Sequence, residues 1–332
     1  MRLIIFFLLM APLFGVDGIV RNGTTEKPQA NASVTLTRLG QGMEPVGTVT
    51  TDAEGRFQIP HQLQPNVPYL LQAMHQGVNY NRMIQPGPAA PTSLQIVVYD
   101  ALPKPNQAKV TQDMILLEPS GSEINVSESV IWENRGTTTF FNPQGTLRFQ
   151  LPEGAGGNVR VSVVSAGGMP ITRPAEKVAE PNIYAVKYPV KPGETRFDIQ
   201  YRLPAQSSFE TKILHGGGSV RLIAPKGVKF ISDNLQDLGP EPRTQATIYE
   251  LKGSEIALKI EGTGTLRGAA GGSGEGEAAG GEADVPQIEE KKPRIYERVV
   301  PVLGLVGLML GLGTTLMLRN QAKVSQAGRR GK

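Results

Sequence analysis

The chain has 332 residues and a formal net charge of +4, and it contains no cysteine. The last fourteen residues carry +5 and Arg2 adds one more positive charge, so the part between them carries −2. The missing thiols exclude disulfides, thiolate metal sites, cysteine nucleophiles and a lipid anchor on cysteine. Because the main part is mildly acidic, the basic isoelectric point does not indicate a phosphate-binding face, and we expect no nucleic-acid partner.

The first segment, residues 1–15, predicts a signal peptide. MRLIIFFLLMAPLFG places one positive residue before an apolar run and ends on a small residue, as secretory signals do. A buried N-terminal strand is the alternative. An exported chain of this size without disulfides is more typical of a bacterial envelope than of an animal secretory pathway.

The middle of the chain predicts an all-β protein. Short runs alternate apolar and polar residues, and turn-forming residues interrupt them about every ten positions, which is typical of sandwiches and barrels. The stretch ALPKPNQA, residues 101–108, contains two prolines and predicts a domain boundary. We expect one β-sandwich over residues 16–101 and a second β-sandwich region over residues 109–262, in one unit or two. Trp132 alternates with its neighbours and is expected in the second core.

The stretch VTTDAEGRF, residues 49–57, predicts the turn of a hairpin. Asp52 and Glu54 could suggest a calcium loop, but Gly55 comes too early for that spacing. A turn needs only Asp52 to begin it and Gly55 to supply a positive φ before the next strand. We therefore interpret Asp52 and Gly55 as turn residues.

This part of the sequence resembles a known family. GIVRNGTTEKPQANASVTLT, TTDAEGRFQI and YLLQAMHQGVNY follow one another over residues 18–80. They resemble the carboxypeptidase regulatory-like module, a transthyretin-like β-sandwich, although the spacing between proline and valine is longer here. The matching positions are Gly18, Val20, Pro28, Val34, Leu36, Thr50, Asp52, Gly55 and Phe57. Such modules occur on peptidases, outer-membrane receptors and adhesins and are akin to carbohydrate-binding domains, so the resemblance implies a fold more than an activity.

Catalytic and metal-binding patterns are weak in this sequence. None of the three histidines, His61, His75 and His215, has a second ligand at helical spacing. His61 and His215 are expected to be solvated loop residues. Ser273 lacks the nucleophile-elbow pattern, because position 275 is a glutamate. We expect a protein that is not an enzyme and that has no cofactor or metal, and a hydrolase with an unrecognised site is the least favoured reading.

One hairpin combines aromatic, amide and charged side chains that could stack on and hydrogen-bond a sugar. These candidate ligand-facing residues are Tyr69, His75, Asn79, Tyr80, Asn81 and Arg82. The alternative is a strand edge and turn with ordinary tyrosine packing.

The C-terminal part predicts membrane anchoring. Residues 263–298 form a Gly-rich, acidic tether and a juxtamembrane segment, and residues 299–318 are twenty residues without a charge, long enough for a transmembrane helix. Residues 319–332 form a basic tail. With the signal peptide, this order predicts a single-pass protein with its β-domains in the periplasm or outside and its tail in the cytoplasm.

The predicted span also carries Gly307 and Gly311, which are four apart, and Gly304 one turn before them. Small residues four apart favour close helix–helix packing. Ordinary glycine usage in membrane helices is the alternative. We expect a non-catalytic envelope protein that acts as an interaction or assembly module, with other envelope proteins or itself as partner. A carbohydrate-binding surface protein is the alternative function.

Overall fold

A computed structural model describes residues 15–87 and 93–266. Within these residues the fold is all-β, with strands and no helix, which confirms the predicted class. No helix among the described residues is long and apolar enough to span a membrane. Several predictions concern residues outside the described ranges. These are residues 1–14 of the signal peptide, the tether from residue 267, the span 299–318 with Gly304, Gly307 and Gly311, and the tail.

The N-terminal lobe, residues 15–102, contains eight strands before the boundary. They are β1 (Val16–Asn22), β2 (Lys27–Pro28), β3 (Ser33–Leu39), β4 (Met43–Thr50), β5 (Arg56–Ile59), β6 (Tyr69–His75), β7 (Val78–Ile84) and β8 (Leu94–Val98). Sheet I has the order β2-β1-β5, and β8 pairs with β1 in parallel. Sheet II is antiparallel in the order β4-β3-β6-β7.

Both sheets bury apolar side chains in one hydrophobic core. Val20 and Val98 contribute from sheet I, and Leu36 and Leu71 contribute from sheet II, all fully buried. Each buried side chain of this size stabilises the fold by roughly 1.5–3 kcal/mol. The alternation of apolar and polar residues in the sequence therefore sets which side of each strand faces this core.

The turn after β4 confirms one prediction and corrects another. Asp52 Oδ1 accepts hydrogen bonds from the amides of Glu54, at 3.0 Å, and Arg56, at 2.7 Å. Gly55 has φ +72°, and a Cβ there would lie 2.6 Å from the Val20 carbonyl oxygen, so only glycine fits. The predicted hairpin is wrong, however, because β4 pairs with β3 in sheet II whereas β5 pairs with β1 in sheet I. The turn carries the chain from one sheet to the other.

The second lobe, residues 108–266, follows a short strand, β9 (Ala101–Leu102), and a loop. Its strands are β10 (Ala108–Ser120), β11 (Glu123–Asn134), β12 (Thr139–Phe140), β13 (Leu147–Gln150), β14 (Arg160–Ser165), β15 (Ile171–Arg173), β16 (Glu176–Lys177), β17 (Ile183–Val186), β18 (Gly193–Pro204), β19 (Ser208–Lys212), β20 (Ser219–Ala224), β21 (Val228–Ile231), β22 (Leu235–Pro240), β23 (Thr247–Leu251) and β24 (Glu255–Gly262).

Three sheets build the second lobe. Sheet III has eight strands in the order β15-β14-β18-β11-β10-β20-β23-β22, sheet IV has the order β13-β17-β16, and sheet V has the order β19-β24-β21. Their inward side chains form a single hydrophobic core. Trp132 belongs to this core and is 7% exposed, which confirms its predicted place. The two lobes thus have separate cores on either side of residues 103–107.

Candidate functional site

The β6–β7 hairpin separates the predicted ligand-facing residues onto two sides of sheet II. Tyr69 is 0% exposed and Tyr80 is 4% exposed, because both occupy inward positions of the alternating pattern. The Tyr69 hydroxyl accepts a hydrogen bond from the Gln64 amide at 3.2 Å and lies 3.3 Å from His61 Nε2. The prediction of a ligand-facing role is wrong for these two tyrosines, because a buried ring cannot stack on a ligand.

The other members of the predicted set remain accessible. Asn79 and Asn81 are exposed, and Asn81 Oδ1 accepts a hydrogen bond from Gln72 Nε2 at 3.2 Å. Arg82 is also exposed, and its Nη1 donates to the carbonyl oxygen of Gln95 at 2.5 Å. That contact joins sheet II to sheet I, so Arg82 ties the sheets together while the two asparagines face outward.

His75 belongs to a polar cluster at the end of the N-terminal lobe. Asp100 Oδ1 accepts hydrogen bonds from His75 Nε2 at 2.9 Å, Asn22 Nδ2 at 2.8 Å and Gln76 Nε2 at 3.4 Å. Burial alone would raise the pKa of Asp100, but the hydrogen bonds from His75 and Asn22 outweigh it and lower that pKa below its usual value. The carboxylate is therefore held ionised. The His75 side chain is directed at this carboxylate, so it does not face a ligand.

This cluster continues into the second lobe through Tyr80. The Tyr80 hydroxyl donates to the Tyr99 carbonyl oxygen at 2.8 Å and lies 2.8 Å from Thr139 Oγ1. Since Tyr80 has one proton to donate, the Thr139 hydroxyl is the donor in the second bond. Burial raises the pKa of Tyr80 to about 12, so the phenol stays neutral. A buried hydroxyl pair therefore links the two lobes.

Lys191 of the second lobe covers the same tyrosine. Its Nζ donates to the Asn79 carbonyl oxygen at 2.5 Å and lies 4.8 Å from the centre of the Tyr80 ring. Burial lowers the pKa of Lys191 to about 8, because the charged ammonium loses hydration. The ammonium, the ring and the carbonyl together form a second link between the lobes.

Backbone pairing completes the contact between the lobes. Strands β9 and β12 are parallel, and Ala101 and Leu102 lie opposite Thr139 and Phe140. The Thr24 hydroxyl donates to a carbonyl oxygen of the second lobe, that of residue 137, and accepts from the Asp100 amide. We call this set the junction; its members are Thr24, His75, Tyr80, Asp100, Ala101, Leu102, Thr139, Phe140 and Lys191.

Sequence reasoning missed most of the junction. It singled out His75 and Tyr80, but it did not identify Asp100, Thr139 or Lys191 as their partners. Thr139 lies 59 residues from Tyr80, and no periodic pattern connects the two. The acidic residue at the end of β8, Asp100, was the one local signal, because it follows an apolar strand and precedes a proline-rich loop.

A second polar cluster lies inside the core of the second lobe. His215 was expected to be a solvated loop residue, but its side chain is 7% exposed and its Nε2 lies 2.9 Å from Asp113 Oδ2. Asp113 itself is 0% exposed. Glu128 occupies an inward position of β11, paired with Ile115 of β10 and Ile199 of β18. The expectation for His215 is therefore wrong, since the following strand β20 brings its loop against β10.

Burial dominates the titration of this second cluster. It raises the pKa of Asp113, although the His215 hydrogen bond acts in the other direction. Burial and then the negative charge of Asp113 raise the pKa of Glu128 well above its usual value, and burial raises the pKa of Tyr201 as well. Asp113 Oδ1 and His215 Nδ1 are buried without a hydrogen-bond partner among the described residues. The cluster thus favours protonated carboxyl groups.

The space beside this cluster is too small for a substrate. The cavity between Glu128 and His215 has a volume of about 10 Å³, whereas ligand pockets usually have roughly 300–1,000 Å³. Within residues 15–87 and 93–266, no group of three or more His, Asp or Glu side chains could hold a metal ion. The cluster therefore has no room to bind a reactant.

Comparisons with known proteins add little. No family model and no curated protein matches the chain. Matching solved structures include an M1 zinc metallopeptidase from Deinococcus radiodurans, at 11% identity over 47% of this chain and 42% of that chain, with a TM-score of 0.26. A mutant of that peptidase has the same values, and the mutant bound to a Tyr-Ser-Ala substrate has 12% identity with the same coverage and TM-score. The match spans less than half of the peptidase and carries no argument about activity.

Proposed function

We propose that this protein is a non-catalytic interaction module whose two lobes act as one rigid body. The observation that carries the proposal is the junction, where buried polar groups of each lobe complete the hydrogen bonds of the other. The hydroxyl groups of Tyr80 and Thr139 share a hydrogen bond across the lobes. A buried polar group left without a partner lowers the free energy of unfolding by about 1–3 kcal/mol. Rotation of one lobe against the other is therefore disfavoured.

A rigid pair of lobes suits a role in assembly. Partner-facing surfaces on the two lobes keep a constant spacing, so less conformational entropy is lost when a partner binds both. The enclosed acid cluster of the second lobe also favours binding over catalysis, because the cavity that Glu128 and His215 line has a volume of only about 10 Å³. A hydrolase would need these groups beside a space that admits a substrate.

The membrane context of this proposal comes from the sequence. The predicted signal peptide, the twenty uncharged residues 299–318 and the basic tail support a single-pass envelope protein with both lobes on the outer side. The tether would join the second lobe to the span, and the glycines of the span would allow it to pair with itself or with a partner helix.

We further propose that the N-terminal lobe is a transthyretin-like sandwich of the carboxypeptidase regulatory-like type and that the second lobe is a second sandwich. Two four-stranded sheets around one core support this assignment for the first lobe, together with the turn at Asp52 and Gly55. Sheet III, facing sheets IV and V across a shared core, supports it for the second lobe.

Affinity purification of the full chain from native membranes after crosslinking tests the proposal. We expect stoichiometric protein partners with the unmodified chain and at least a fivefold lower yield with Thr139→Val, which loosens the junction. Thr244→Ala is the control, since Thr244 is exposed and its side chain bonds only to Glu241 and to the Ala246 amide, far from the junction in sequence; its yield should match the unmodified chain. Absence of any stoichiometric partner, or equal losses in both variants, would refute the role of the junction in assembly.

Glycan binding by the outer face of sheet II is a second candidate. The aligned exposed amides of Asn79 and Asn81, with Gln72 beside them, are the observation in its favour, because amides hydrogen-bond sugar hydroxyls. A glycan array should then show a signal that Asn81→Ala abolishes and that Thr244→Ala leaves unchanged. A signal unaffected by Asn81→Ala would place any glycan elsewhere on the protein.

A further inference from the structure

A groove in the second lobe lies apart from the junction and from the His215–Asp113 pair, and Tyr201 is the one residue of its lining that belongs to the acid cluster described above. Its volume is about 930 Å³, and it lies between the loop of residues 153–159 and strands β11 and β18. We call it the arginine groove, after Arg160 and Arg202 in its lining. Its size falls in the range of ligand pockets, roughly 300–1,000 Å³.

Strand lengths explain why the groove exists. Strand β14 begins at Arg160, opposite Gln200 of β18, but β18 continues to Pro204 with only β11 beside it. The loop of residues 153–159 occupies this side instead. Gly154, Gly156 and Gly157 have φ values of +90°, +60° and +74°, conformations that let the loop turn away from β18. The groove therefore lies where sheet III has no strand beside residues 201–204 of β18.

The groove has a positive charge. Arg160 and Arg202 contribute two guanidinium groups, and Glu123 contributes the only carboxylate of its lining. Arg202 Nη1 lies 3.7 Å from Glu123 Oε1, and the arginine side chain is 74% exposed, so the pair is longer than a hydrogen bond and is weak. No ion pair to Arg160 occurs among the described residues. Both guanidinium groups are therefore available to an anion.

Neutral donors and acceptors lie between the two arginines. The side chains of Asn125, Asn158 and Gln200 line the groove, and the amides of Gly156 and Gly157 donate no hydrogen bond within the described residues. Guanidinium groups bind carboxylate, sulfate and phosphate in forked geometry, and amides bind hydroxyl groups. The set matches a ligand that carries both anionic groups and hydroxyl groups.

We infer that the arginine groove binds an anionic polysaccharide, with acid groups on Arg160 and Arg202 and sugar hydroxyls on the amides. A neutral polysaccharide fits less well, because the only aromatic lining residue, Tyr201, is 5% exposed and offers no stacking face. An extended peptide fits less well too, because the free edge of β18 is only residues 201–204, too short for more than a few backbone bonds. This site does not depend on the junction or on a protein partner.

Calorimetric titration of the purified full chain with polygalacturonate tests the inference. We expect saturable binding that weakens as salt rises, with no binding of neutral dextran and weaker binding of poly-glutamate. The double substitution Arg160→Gln with Arg202→Gln should reduce the affinity at least tenfold. The basic tail is present in every variant, so a difference between variants reports on the groove.

Two further variants sharpen the test. Arg196→Gln is the matched control, since Arg196 is also an exposed arginine of β18 but lies outside the groove; its affinity should stay within twofold. Glu123→Gln removes the competing carboxylate and should raise the affinity about threefold. Unchanged Trp132 fluorescence shows that each variant is folded.

Three results would overturn the inference. Equal binding of dextran and polygalacturonate would exclude recognition of anionic groups. Tighter binding of poly-glutamate would identify an acidic peptide as the ligand class instead. Equal losses in Arg196→Gln and in the double variant, or no binding of polygalacturonate at all, would show that the groove is not the site.

Discussion

The His75–Asp100 pair of the junction and the His215–Asp113 pair of the second core have the same Nε2–Oδ distance, 2.9 Å, in different surroundings. The Asp100 side chain is 30% exposed and the Asp113 side chain is 0% exposed. The pKa of Asp100 is lowered, whereas the pKa of Asp113 is raised. A histidine at the same distance therefore accompanies a lowered aspartate pKa in one pair and a raised aspartate pKa in the other.

The difference arises from what else surrounds each carboxyl group. Asp100 has a second strong donor, Asn22 Nδ2, on the oxygen that faces His75. Asp113 has an oxygen without a partner and a second acid, Glu128, near it. Extra donors stabilise the carboxylate, while burial and a like charge stabilise the neutral acid. A histidine partner by itself therefore does not decide the charge state.

Removing each histidine in turn should give the largest contrast. His215→Ala leaves both carboxyl oxygens of the buried Asp113 without a partner, so we expect the free energy of unfolding to fall by about 3 kcal/mol, the upper end of the cost of an unsatisfied buried polar group. His75→Ala leaves Asp100 its bond from Asn22 and some water, so the loss should be about 1 kcal/mol or less. Urea denaturation of the full chain measures these losses. Near-ultraviolet circular dichroism follows unfolding in both variants, and the fluorescence of Trp132 also follows it in His215→Ala. Equal losses would remove the proposed contrast.

Tyr80→Phe tests the junction at its most buried contact. The variant leaves the Tyr99 carbonyl oxygen and the Thr139 hydroxyl without their partner, so stability should fall by about 1–3 kcal/mol. The lobes should also unfold in two separate calorimetric steps. In the double variant with Thr139→Val the two losses should not add, because both remove one shared bond. Additive losses would show that the hydroxyls do not act together.

Glu128→Gln tests the acidic environment of the second core. A raised pKa means that the folded state keeps its proton where the unfolded state, with a pKa of about 4.3, has lost it. Stability is therefore lost as pH rises from that value through the raised pKa. Glutamine removes this loss, so the variant should be more stable than the unmodified chain at pH 7.5. Near pH 4 the two proteins should differ little, and an equal difference at both pH values would contradict this account.

The pH dependence of His75→Ala is the smallest effect and has the opposite sign. The lowered pKa of Asp100 contributes stability that is present above the unfolded value, about 3.9, and is lost as pH falls through the folded value. The difference between the unmodified chain and His75→Ala, about 1 kcal/mol or less at pH 7, should therefore be smaller at about pH 2, because Asp100 loses its charge as pH falls through the lowered pKa. Urea titrations at both pH values measure it, and a difference that grows in acid would refute the lowered pKa.

Strand positions followed from the sequence more closely than the site did. The inward rows of β13, β18 and β24 agree with the period-two runs at residues 147–151, 197–203 and 256–260. Glu128 is the instructive exception, because it stands in the inward row of β11 between Val126 and Val130. An acid at an inward position of a period-two strand was a readable signal of a buried polar cluster.

The six candidate ligand-facing residues were predicted correctly only in part, because alternate residues of a strand face opposite sides of the sheet. Alternation along β7 separates Asn79 and Asn81 from Tyr80, so the six residues could never share one face. The sequence also could not show that Lys191 covers Tyr80, since the two lie in different lobes.

The sequence by itself determined the local features of this protein. Alternating side chains set the strands and their inward faces, Asp52 and Gly55 set a turn, and the lack of cysteine removed all thiol chemistry, because each depends on neighbouring residues or on composition. Only the tertiary structure decided that β4 and β5 join different sheets and that His215 pairs with Asp113 across 102 residues. It also decided that the pKa of Asp100 is lowered and the pKa of Asp113 is raised, although each lies 2.9 Å from a histidine. Strand pairing and burial depend on residues distant along the chain, and burial sets the hydration that controls each charge.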